Sequence, residues 1–186
     1  APVSTTMNWK NIGDDHTFYA FYPYKIGASL SKVPMPALTE QDGTMASVAA
    51  RDFLVATKTM KYSNGGVVSF TGDDAFGHVS SLVVLTLNNT GDLTSAKINN
   101  ITLTGTDLVA GSNYSFVDNS STEADETGKV SFESGTDNDI MVANFGDGID
   151  LHEDKTFYFV VNSGTIDLNN VTLSITYTLE GEGKYT

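Results

Sequence analysis

The chain has 186 residues, 40% of them apolar, which is enough for one sizeable core and too much for a disordered protein. Its 10 basic residues against 23 acidic ones give a net charge of −13, a field that argues against nucleic-acid and membrane-surface partners. Cysteine is absent, which removes disulfides, thiolate metal sites and a thiol nucleophile, and no apolar run reaches the ~18 residues of a membrane span.

Residues 1–13 read as a lead-in, followed by an aromatic strand over Thr17–Tyr22. Residues 25–50 form a long irregular connection, because Pro34 and Pro36 break regular structure; one or two helical turns fit Thr44–Ala50. Further strands are expected at Phe53–Thr57, Val67–Phe70, Ser81–Leu87, Lys97–Leu103, Tyr114–Val117, Lys129–Glu133 and Phe157–Val161. Leu82–Leu85 and Phe157–Val161 are continuous apolar runs, suited to strands covered on both faces or covered on one face by a partner. The last strand, Val171–Leu179, alternates five apolar with four hydroxyl residues, a two-residue period no helix accommodates. Turn chemistry lies between strands at Asn64-Gly65-Gly66, Asn89-Thr90-Gly91-Asp92 and Glu126-Thr127-Gly128, and Asp118–Thr127 reads as a solvated loop. Strands at this spacing predict an all-β sandwich with little helix, a single module over 1–186.

The residues offer little chemistry. His16, His78 and His152 lack metal-ligand spacing, and His152-Glu153-Asp154 reads as a solvated turn before the Phe157 strand. His78 reads as a strand-entry side chain bonded to a neighbouring carbonyl. No Gly-x-Ser-x-Gly elbow or glycine-rich phosphate cradle occurs, and Arg51 is the sole arginine, which weakens any nucleotide reading. Asp137-Asn138-Asp139 and Asp147-Gly148-Ile149-Asp150 resemble pieces of calcium loops without completing one, so ordinary turns are the default. No carboxylate pair stands out as glycosidase-like. Of the aromatics Phe18, Tyr19, Phe21, Tyr22 and Tyr24, crowded near Trp9, alternate members are expected to fill the sandwich and the others to cover the next strand or a loop, ahead of a sugar-stacking platform. No catalytic, cofactor-binding or metal-ligating residue is nominated, and the chain is expected not to be an enzyme.

An ordered set of segments carries a resemblance. Phe18-Tyr19-Ala20-Phe21-Tyr22-Pro23-Tyr24 is followed by Asp52-Phe53-Leu54-Val55-Ala56 and Val68-Ser69-Phe70. Ala75-Phe76-Gly77-His78-Val79-Ser80-Ser81-Leu82, Lys97–Leu103 and the final alternating strand complete it. In order and spacing, over residues 9–180, the set resembles the N-terminal module of the fimbrillin-like (type V pilin) family of bacterial surface proteins. The resemblance implies a transthyretin-like, Greek-key β-sandwich made as a lipoprotein precursor for the outer membrane. It also implies a place in a fimbrium at the cell surface, with other fimbrial subunits as partners through strand addition. An adhesive subunit would further meet ligands on host or bacterial surfaces. Lacking a lipobox Cys and an Arg near its start, the segment is expected to be a mature form or fragment of a longer precursor. The long, hydroxyl-rich Val171–Leu179 is the candidate to flank a strand-accepting groove. The alternative is a surface glycan-binding module with exposed aromatics in a shallow groove.

Overall fold

A computed structural model describes residues 12–62, 66–89, 95–105, 108, 111–117, 130–132, 139–161, 168–181 and 183–186. In chain order it contains β1 (His16–Tyr22), β2 (Val33–Pro34), α1 (Met45–Arg51), β3 (Leu54–Met60) and β4 (Gly77–His78). Then follow β5 (Ser81–Leu87), β6 (Ala96–Gly105), β7 (Ser112–Tyr114) and β8 (Val130–Phe132). The last are β9 (Asp139–Asp150), β10 (Lys155–Val161), β11 (Val171–Leu179) and β12 (Gly183–Tyr185). The fold is all-β, and among the described residues every strand pairing is antiparallel.

Among the described residues the strands form four sheets, ordered β1-β3-β4, β10-β5, β12-β11-β6-β9 and β2-β7-β8. The first two are joined by the chain itself. Between β4 and β5, the amide of Val79 still donates to the carbonyl of Phe53 (2.9 Å) before the strand turns to β10. The larger core lies between the β10-β5 ribbon and the four-stranded sheet. Phe157, Phe159 and Val161 of β10 meet Ile98, Ile101 and Leu103 of β6, with Val83, Leu85 and Leu87 of β5 packed against them. Two-residue alternation accounts for which side chains of β5 and β10 point inward. Truncating a fully buried phenylalanine such as Phe159 costs about 3–5 kcal/mol. A second, aromatic core binds the other ladders: Phe53 and Phe116 are fully buried with Tyr114, whose ring meets both at 5.9 and 4.9 Å. Burial there pushes the Tyr114 phenol upward in pKa.

Ile98 and Ile101 are both buried although three residues apart, a spacing that would place them on opposite faces of a regular strand. A register shift against β9 between Ile98 and Ile101, matched by one in β11 at Thr176/Tyr177, returns both to the core. In β9, Gly148 (φ +90°) sits where an added Cβ would lie 2.7 Å from the Cβ of Lys97, so the irregular strand requires glycine there. This corrects the expectation of a turn at Asp147–Asp150: the acidic segment is strand, in register with Lys97 and Ile98. Val67–Phe70 is not a strand, and Val67 is exposed. The long connection 25–50 does hold irregular chain, but it also supplies β2 and α1. Thr44 caps α1 by accepting from the Ser47 amide (3.2 Å), which explains its start. The turn residues Asn64 and Gly65, Thr90–Asp92, Glu126–Gly128 and the loop Asp118–Thr127 lie outside the described residues, as does Trp9.

Candidate functional site: the edges of one ribbon

The β5–β10 ribbon pairs Leu82 with Val160, Val84 with Tyr158 and Thr86 with Thr156. Antiparallel strands alternate pairs that bond each other with pairs whose N–H and C=O groups point outward. On β10 the outward groups are seen directly. The Tyr158 amide donates to the carbonyl of Gly43 (2.9 Å), and the Val160 amide donates to Gln41 Oε1 (2.8 Å). Gln41 Nε2 in turn donates to the Val160 carbonyl (2.8 Å) and to that of Leu38 (2.9 Å). The fully buried Gln41 amide thus occupies the hydrogen-bonding place of a neighbouring strand.

The segment carrying Gln41 is held from behind. Arg51 reaches from the last turn of α1 to the carbonyl of Glu40 (2.8 Å) and the hydroxyl of Ser47 (2.8 Å). Asp42 accepts from the hydroxyl (2.7 Å) and amide (2.9 Å) of Thr44. Those two bonds, the hydroxyl first, hold its carboxyl below its ordinary pKa; desolvation opposes them, and Ser47 and then Arg51 add lesser lowering. Gly43 takes φ +74°, and a Cβ there would press to 2.8 Å on the Phe157 ring. The sole arginine is therefore a structural brace.

The other edge of the ribbon differs. Since Tyr158 and Val160 point away from β5, their partners Val84 and Leu82 point away from β10. Among the described residues no strand lies along that second edge of β5. The side chains beside it are apolar and exposed: Leu82 at 49% and Val84 at 53%. An uncharged, apolar open edge is a template for another strand. Between α1 and this strand lies a groove of about 520 Å³, lined by Met45, Val48, Ala49, Leu82 and Val160 with Asp52, His78, Ser80 and Ser81.

His78 bonds the Asp52 carboxylate (2.7 Å), not a carbonyl, because pairing of Leu54 with His78 brings the residue two before Leu54 alongside. His16 lies on β1 and His152 in the turn before β10, so the structure does not gather the histidines. Glu153 pairs with Lys155, whose hydrogen bond and charge lower its pKa. Among the described residues no three His, Cys, Asp or Glu side chains come together as a metal would need, and Asp137 and Asn138 lie outside them. Tyr19 and Phe21 pack on the aromatic core, whereas Tyr22 and Tyr24 are exposed, Tyr24 at 79%. β11 is bordered by β6 along its length and by β12 at Tyr177–Leu179, so its groove-flanking candidacy is limited to its first part. Gln41 and the open side of β5 were not nominated from sequence. The exposed half of the Leu82–Leu85 run is the signal that points to the latter.

The feature that stands out on this β-sandwich, among the described residues, is a backbone edge without a partner strand. The chain belongs to the fimbrillin-like family, whose model matches residues 1–186. No curated protein matches it. Its fold is similar to the crystal structure of a Bacteroides ovatus protein of proposed cell-adhesion role, with a TM-score of 0.52 and 14% identity. That match covers 92% of this chain and 55% of the other, so the chain spans about half the length of that protein.

Proposed function

We propose that this chain is a structural, adhesive subunit of a bacterial surface fimbrium that joins neighbouring subunits by strand addition at β5. The observation that carries the reading is the asymmetry of the ribbon, sealed at β10 and, among the described residues, open at β5. Membership of the fimbrillin-like family supports the fimbrial setting and a place at the outer-membrane surface. A strand added at β5 would satisfy its outward N–H and C=O groups and cover Leu82 and Val84. Among the described residues no helix is long and apolar enough to cross a membrane.

Val84→Pro removes one outward N–H, and Leu82→Lys places charge on the exposed apolar face. Light scattering of the full chain, at rising concentration, is expected to show oligomers for the wild type and monomers for both variants. Oligomers that form equally well in all three would refute assembly at β5. The exposed Tyr22 and Tyr24 favour a second property, stacking on a neutral glycan. A glycan array probed with the wild type and Tyr24→Ala tests it, and identical blank arrays would dismiss it.

A further inference from the structure

The groove beside β5 has two chemically different ends. Met45, Val48 and Ala49 of α1, with Leu82 and Val160, supply apolar walls, and Val160 is buried. Asp52, His78, Ser80 and Ser81 supply a polar end. There His78 Nδ1 and the Asp52 carboxylate are bonded to one another. Ser80 is different: its hydroxyl oxygen is buried and has no hydrogen-bond partner. A buried hydroxyl without a partner costs free energy unless something arrives to bond it. Leu82, on the open strand, lines the same groove, so a strand lying along that edge passes its mouth. A repeating row of outward N–H and C=O groups is matched along its whole length by another extended polypeptide. The side chain such a strand would place here needs an apolar body and a hydrogen-bonding tip.

Resting on the strand-addition reading, we infer that the groove between α1 and β5 selects and registers the incoming strand of a partner subunit by taking a tyrosine side chain from it. The ring lies against Met45, Leu82 and Val160, and the Ser80 side chain rotates its covered hydroxyl into the groove to bond the phenol hydroxyl. Phenylalanine fills the walls but leaves Ser80 unpaired, and alanine does neither. Because side chains alternate, fixing one tyrosine in one pocket fixes which face of the added strand turns toward the groove.

The test uses the full chain and extended peptides of alternating threonine and valine carrying tyrosine, phenylalanine or alanine at the centre. Titration calorimetry is expected to rank tyrosine above alanine by about tenfold or more, with phenylalanine between. Ser80→Ala, which deletes an unpartnered hydroxyl and so should not weaken the fold, is expected to erase the preference of tyrosine over phenylalanine. Ala49→Trp, at an exposed helix position, fills the groove and brings tyrosine down to the alanine level. Three peptides of equal affinity, all blocked by Val84→Pro, would overturn the pocket while leaving the open edge standing. No binding by any peptide, together with oligomers indifferent to Val84→Pro, would sink both.

Discussion

β5 and β10 are neighbours in one ribbon, both rich in apolar residues, yet their outer edges are treated in opposite ways. Along β10 the outward amides of Tyr158 and Val160 are matched by Gly43 and by the Gln41 side chain, and the brace of Arg51 and Asp42 keeps that segment in place. Along β5 the equivalent groups of Val84 and Leu82 face no described strand, and the side chains beside them are half exposed. Both edges would be sticky if left alone. The difference teaches that this ribbon carries a device for closing an edge, used at β10 and, among the described residues, not at β5.

The largest break in that comparison comes from Gln41→Ala. It leaves the Val160 N–H and C=O and the Leu38 carbonyl without their partner in a buried site, and should destabilise the chain by about 3–4 kcal/mol. Urea unfolding measures this. The surviving folded protein should self-associate more, having two open edges.

Proline at two facing positions sharpens the comparison. Tyr158→Pro removes a bonded amide and leaves the Gly43 carbonyl unpaired, and should cost about 1–3 kcal/mol more than Val84→Pro, which removes an outward one. Equal costs in thermal or urea unfolding would mean that the β5 edge is not open.

The smallest effect tests the brace through pH. The folded pKa of Asp42 lies below its ordinary 3.8, so its contribution is complete above that value and is lost as pH falls through the folded pKa. Asp42→Ala should therefore lower stability slightly at neutral pH and flatten the decline on acidification. Urea midpoints between about pH 5 and 2.5 would show the two proteins converging. Curves that stay parallel would remove Asp42 from the brace.

Much of the sheet framework was legible in the residues. Val171–Leu179 and Ser81–Leu87 form strands with the expected bounds, since their periodicity or apolar run needs no tertiary help. β9 was hidden because Asp147-Gly148-Ile149-Asp150 read as a turn, whereas in the sheet they are strand, with Gly148 a tolerated irregularity beside Lys97 and Asn99. β2 and β4 are too short to carry any pattern. Gln41 could not be found from sequence, because its partner Val160 lies 119 residues away and an isolated glutamine in a connection has no local mark. Which border of β5 is open is likewise a property of strand order, and single-chain periodicity does not encode strand order.

Amide hydrogen exchange across the ribbon probes the asymmetry itself. The backbone N–H groups of Leu82 and Val84 should exchange orders of magnitude faster than those of Tyr158 and Val160, their direct partners, in protein held monomeric by dilution. Matched slow exchange on both strands would show that β5 is already covered, and the proposed docking edge would not exist.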